Sequence, residues 1–460
     1  CWASNGMSVG TKLLQAAAGN AGEAVYVDDL FSTQLYTGDG TARSIVNGVD
    51  LSDKGGLVWT KNRGFPSPYN ISNHNFVDST RGVSKYIRSN ATDAEATDSS
   101  GITAFNNNGY SLGTAGNWNA SGSDYVSWTF AKQEKFFDIV TYTGNATAGR
   151  TISHNLGSVP GMIIIKSTSS AQSWAMYHRG TDASTPEGYF LILNNTDVRQ
   201  IATSAEGGNT WNNTAPTATE FTLGDYVSVN KNGDTFVAYL FAHDESEFGE
   251  DSDEAIIKCG RYNGNGSSGQ FINLGFEPQF LMIKSLTSSH DWYMADNMRG
   301  MANTAVNTAH KYIYSQTNSS EEVYEARWRT EPNGFHLTSA ASGSNASNNS
   351  YMYVAIARPH KPASEFAATD LFVVDESDTT GEPKYRSTFP VDLSFDKWAT
   401  QGGSDTHVSA RLLQGRYVRT NSDAAAANEA TYQFDYATGF HSGSSATSGA
   451  YAWMFRRAKG

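Results

Sequence analysis

The chain has 460 residues, with 33 Lys and Arg against 46 Asp and Glu and a formal net charge of −13. That length calls for two to four domains, and 39% hydrophobic with 12% aromatic residues gives real cores rather than disorder. The acidic balance, with no basic run longer than Arg456-Arg457, excludes nonspecific nucleic-acid binding; two cysteines, Cys1 and Cys259, exclude a disulfide framework; and no apolar stretch reaches the roughly 18 residues of a membrane helix.

Residues 1–30 form a Gly/Ala-rich lead-in with one short predicted helix around Lys12 to Ala18. After it the chain repeats itself, and internal repetition outranks every other signal. Units are expected at 31–137, 138–247 and 255–360, with a divergent fourth at 361–460. The first three open on the blocks Tyr36-Thr37-Gly38-Asp39-Gly40, Tyr142-Thr143-Gly144-Asn145 and Tyr262-Asn263-Gly264-Asn265-Gly266, which the fourth lacks. An apolar strand follows: Gly56 to Lys61, Met162 to Lys166, Phe280 to Lys284. Leu156-Gly157-Ser158-Val159-Pro160 and Leu274-Gly275-Phe276-Glu277-Pro278 precede the last two, with proline outside the strand where its missing donor does no harm.

An Arg-Gly pair then closes a third element three times, at Arg81, Arg179 and Arg299. Those arginines read as structural, each paired with a carboxylate or backbone carbonyl before a turn. A polar hairpin-like stretch leads into the closing strand of each unit, marked by Asn-Gly, which supplies the positive φ of tight turns. The closing strands place Trp128, Tyr239, Val354 and Trp453 at matching positions. Between the second and third units, 244–254 carries seven acidic residues in eleven. Self-repulsion makes 248–254 an exposed acidic linker, preferred over a calcium site.

Units of about 100–115 residues with short aromatic and β-branched strands predict an all-β fold of tandem β-sandwiches, jelly-roll or lectin-like. Propeller blades have only about 40–50 residues. Chemistry is sparse. No metalloprotease His pair, zinc-type Cys pair or phosphate-binding Gly-rich loop occurs. Gly6-Met7-Ser8-Val9-Gly10 has nucleophile-elbow spacing but no buried strand before it. His154, His178, His290 and His336 lack triad partners in sequence and read as surface or turn residues. No catalytic, cofactor or metal residue is assigned. Trp118, Trp174, Trp211 and Trp292 lie in or beside loop-like segments, where an aromatic can stack on a sugar face; core or interface packing is the competing reading.

The recurring Tyr-Thr-Gly, Leu-Gly-x-x-Pro, Arg-Gly and Phe236-to-His243 segments, with Asn155 to Ile164 and Trp211 to Pro216, resemble repeat-built structural proteins of tailed bacteriophages, especially those of marine bacteria and cyanobacteria. The resemblance implies a virion component of tail, baseplate or fibre, an external part of the particle, and not an enzyme. It implies assembly with other virion proteins, homo-oligomerisation, host attachment, and a chain continuing past Gly460. A host-surface glycan-binding array, a capsid decoration protein and an envelope polysaccharide hydrolase are the alternatives.

Overall fold

The computed structural model describes residues 24–64, 73–203, 209–301, 309–361, 368–378, 383–399, 404–413, 415–429, 431–434, 436–442 and 449–457. The lead-in helix, the elbow-like Gly6 to Gly10 and Cys1 lie outside them. The protein is all-β, and its repeats are four antiparallel six-stranded sheets with one shared strand order.

In the first unit that order joins an opening strand, Phe31–Thr37, to the closing strand, Asp124–Ala131, which pairs next with Gly56–Asn62. A meander then continues through His74–Asp78, Lys85–Arg88 and Ala96–Thr97. The second sheet runs from Phe137–Thr143 to Thr235–Phe241, and the third from Ile257–Asn263 to Ser350–Ala357. The fourth runs from Phe372–Glu376 to Ala450–Phe455. Each of the first three sheets is backed by a smaller sheet of two or three strands, giving unequal sandwich layers. Phe137, expected to end the first unit, begins the second sheet, and the first strand of the fourth sheet begins at Phe372.

The register makes the repeats superimposable residue by residue. Across the first sheet the row is Thr33, Trp128, Trp59, Phe76, Ile87; across the second, Ile139, Tyr239, Ile164, Met176, Leu191. The third row is Cys259, Val354, Met282, Met294, Ile313, and the fourth is Val374, Trp453, Phe395, Val408, Val418. Trp128, Tyr239, Val354 and Trp453 therefore occupy one structural position, as their sequence match predicts. Cross-strand neighbours share a face, so each row is one side of its sheet.

The polar stretch before the closing strand contains a single helical turn, Gly116–Asn119 in the first unit and Val227–Asn230 in the second, where sequence suggested only a hairpin. The turn ends on a buried asparagine. Asn119, Asn230 and Asn345 accept from the backbone N–H of Asp39, Asn145 and Asn265, at 3.1, 2.9 and 3.0 Å. Their amides donate back to carbonyls of Gly113, Gly224 and Ser339. One side chain thus ties each of these opening blocks to the turn that leads into the closing strand. Gly122 and Gly233 then turn the chain at φ of 75° and 79°, a conformation in which a Cβ is strained.

The acidic stretch connects the second and third sheets and is pinned at one point. Phe248 is buried and exchanges backbone hydrogen bonds with Glu254, while Gly249 N–H donates to Val25 O at 2.9 Å. One apolar anchor holds the loop; Glu250, Asp251 and Asp253 still face solvent, where their repulsion is screened.

Candidate functional site

The first three units close into a ring, and the inner face of each sheet is the lining. Trp128, Tyr239 and Val354, with the rest of their rows except Thr33, belong to one continuous buried apolar cluster. The outer side of the third sheet forms its own core around Tyr262, Trp328 and Phe335. Aromatic contacts join neighbours: Phe76 to Tyr239 at 5.5 Å, Phe130 to Phe137 at 5.5 Å, and Trp128 to Phe280 at 6.1 Å. Such pairs add about 0.5–1.5 kcal/mol each beyond the area they bury.

Polar contacts repeat cyclically at matching positions. Glu95 N–H of the first unit donates to Thr168 O of the second, Arg199 N–H of the second to Leu286 O of the third, and Glu321 N–H of the third to Arg63 O of the first. The residue beginning or preceding the meander's second strand makes another set. Trp174 Nε1 donates to Arg88 O at 2.9 Å, Trp292 Nε1 to Asn195 O at 3.0 Å, and His74 Nε2 lies 3.0 Å from Tyr314 O. Every junction of the ring is thereby hydrogen-bonded in the same way.

A buried lysine stands at one register in each unit: Lys61, Lys166 and Lys284. Lys166 Nζ reaches Thr92 O of the first unit at 3.1 Å, and Lys284 Nζ reaches Thr196 O of the second at 2.9 Å. Lys61 Nζ donates to Asn62 O at 2.8 Å. Burial lowers their pKa values to about 7, 8 and 8 in chain order, because a low-dielectric site disfavours the ammonium form.

The arginines divide two against one. Arg81 pairs with Asp78 at 2.6 Å and Glu95 at 3.0 Å, and its Nη2 donates to Tyr239 OH of the second unit at 3.2 Å. Arg299 repeats this with Asp296 at 2.8 Å and Glu321 at 3.3 Å, and lies over the Trp128 ring of the first unit. Tyr239 OH and Trp128 Nε1 donate to the same two aspartates, at 2.7 and 3.1 Å. Arg179 does not belong to this set. The position of Asp78 and Asp296 is taken in the second unit by His178, so Arg179 follows it by one residue, not three, and is exposed. The shared Arg-Gly dipeptide is out of register there.

His178 is buried, not a surface residue, and its Nε2 lies 3.2 Å from Tyr353 O of the third unit. Burial lowers its pKa to about 3, so it remains neutral at the junction. Glu321 takes a bidentate contact from Arg63 at 2.9 Å in addition to Arg299. Burial alone would raise the Glu321 pKa, but Arg63, Arg299 and Lys311 lower it to about 2.

The four tryptophans proposed for glycan contact are packed inside the protein: Trp118 is 1% exposed, Trp174 0%, Trp211 2% and Trp292 0%. The packing alternative is the one found: the neighbouring unit or the local turn covers each ring. Trp174 and Trp292 are junction residues. Trp118 packs edge-on against Tyr86, and Trp211 against Tyr177 with Nε1 bonded to Tyr189 O.

A cleft of about 950 Å³ lies between the third and fourth units. Several of its cations are engaged in internal pairs. Arg358 bridges Glu277 at 2.7 Å and Asp392 at 3.0 Å, Arg457 binds Glu277 at 3.0 Å, and His360 contacts Glu254. Arg411, buried and lowered by desolvation to about 10, donates to Val391 O at 3.1 Å and reaches Asn297 O of the third unit. The arrangement fastens the fourth unit to the ring. Among the described residues no group of three or more His, Cys, Asp or Glu converges as a metal site, and no helix is long and apolar enough to cross a membrane.

Residues 27–359 match the model of a family described as a domain of unknown function (DUF7483). The matched span is the whole three-unit ring and stops before the fourth sheet. No curated protein matches the chain.

Proposed function

The chain belongs to the DUF7483 family, and we propose that it is a structural protein of a tailed-bacteriophage particle, a tail, baseplate or fibre component serving assembly or host attachment. The observation that carries this reading is the use to which the repeated polar residues are put. Asp78, Arg81, Asp296, Arg299, Lys166, Lys284, Trp174, Trp292 and His178 all make contacts from one unit to the next or hold the groups that do. These polar side chains serve to join one unit to the next. The resemblance of the repeat motifs to phage repeat proteins is what supports a place in a particle, and the cross-unit contacts are what support a mechanical role. Buried ion pairs of this kind are costly to break one partner at a time, and slow unfolding suits a component that must persist.

Mass spectrometry of gradient-purified particles from a phage encoding the chain tests the proposal. The chain is expected at a fixed stoichiometry to the major tail proteins. Its presence only in the lysate, with none in the particles, would overturn the reading.

A further inference from the structure

The fourth unit carries the ring-forming face without a ring. Its row Val374, Trp453, Phe395, Val408, Val418 is in register with the three buried rows, and the next row adds Phe372, Phe455 and Leu393. In the fourth unit Phe372 is 37% exposed, Val374 45% and Val418 38%, and along the closing strand Tyr451, Trp453 and Phe455 are half-exposed while Ala450, Ala452 and Met454 are buried. The other side of the sheet has its own core of Tyr385, Phe389, Val391, Tyr432, Phe434 and Phe440. Contiguous apolar faces of this kind mark interaction surfaces.

A second observation points the same way. Lys397 pairs in register with Tyr451, the position that Lys61, Lys166 and Lys284 hold opposite Val126, Val237 and Met352. In the second and third units that lysine reaches a carbonyl of the adjoining unit. The residue two places after it, Arg63, Thr168 or Leu286, accepts the junction hydrogen bond; in the fourth unit this is Ala399. The donor equivalent to Glu95, Arg199 and Glu321 is Ala426, by the pairing of Tyr417 with Ala427. Both alanines are exposed.

We infer that three fourth units, one from each of three copies of this chain, close a ring like the one formed within each chain, so that the protein is a homotrimer. A sheet of this shape closes with two like sheets in the one case where its partners are present, and identical chains supply two more at once. Each contact is head-to-tail, and the rotation closes after three steps. Ala426 N–H of one copy donates to Ala399 O of the next, and Lys397 reaches the turn beyond Arg419. The inference does not rest on the virion reading and survives its failure.

Light scattering on the purified 460-residue chain decides it. The mass expected is three times the 49.8 kDa of one chain, at micromolar concentration. Val374→Glu with Trp453→Glu, and separately Val418→Glu, are expected to give monomers with an unchanged far-ultraviolet spectrum. A wild-type monomer or dimer, which would leave the face to a different partner, overturns the inference; so does a trimer that persists in folded charge variants.

Discussion

Trp128 Nε1 donates to Asp296 Oδ2 across 3.1 Å, joining residues 168 positions apart. The contact closes the ring between the third unit and the first, and Arg299 Nε donates to the same carboxylate oxygen at 2.8 Å. A chain of tandem domains becomes one body through such contacts.

Asp296→Ala is expected to destabilise the ring by about 3–5 kcal/mol, because it leaves the Arg299 guanidinium buried with less compensation. Asp78→Ala should cost a similar amount through Arg81. Urea unfolding monitored by circular dichroism checks both, and a loss below about 1 kcal/mol would count against the buried-pair geometry.

The register argument separates arginines that sequence groups together. Arg81→Ala and Arg299→Ala should each cost several kcal/mol by stranding buried carboxylates, whereas exposed Arg179→Ala should fall within about 0.5 kcal/mol of wild type. Equal losses at all three positions would mean that the dipeptides are equivalent after all.

Ring and fourth unit should respond oppositely to pH. An unfolded lysine holds its proton to about 10.4, but Lys61, Lys166 and Lys284 release theirs near 7 to 8 in the folded ring. Between those values the unfolded state binds more protons, so ring stability rises with pH. Glu321 acts in the same sense lower down: its contribution is present above the unfolded value of about 4.3 and is lost as pH falls through about 2. Asp396, in the fourth unit, is raised by burial to about 7 although Tyr432 OH donates to it at 3.1 Å. Its contribution is present below about 3.9 and is lost as pH rises through about 7. Peptide-resolved thermal unfolding from pH 5 to 9 should show the ring gaining and the fourth unit losing stability; parallel shifts would refute the assignment.

Asp396→Asn isolates that last effect. The amide keeps an acceptor for Tyr432 and removes the buried charge, so the fourth unit should melt higher at pH 8 and unchanged or lower at pH 4. A variant that melts lower at both pH values would show that the carboxylate is needed for packing.

Much of the fold was legible because the repeats carry it: matching closing strands predict four kindred units, Tyr-Thr-Gly-type blocks and apolar strands recur in three of them, and four sheets of one strand order are there. The ring was not legible. Nothing in the spacing of Trp174 says that its indole N–H will meet Arg88 O of another unit, and a loop-flanked tryptophan looks the same whether a sugar or a domain covers it. The lysine signal was present, since Lys61, Lys166, Lys284 and Lys397 each end or nearly end an apolar strand, where a buried cation needs a partner. Arg179 shows the converse failure: a two-residue match carries no register, and only strand pairing reveals the slip against Asp78 and Asp296.

Native-state hydrogen exchange on Trp128→Ala tests the central claim most directly, that three units form one cooperative body. Protection should fall together in the strands Asp124–Ala131, Thr235–Phe241 and Ser350–Ala357, while Ala450–Phe455 stays as in the wild type. Loss confined to the first unit, with the second and third exchanging as before, would contradict a closed ring.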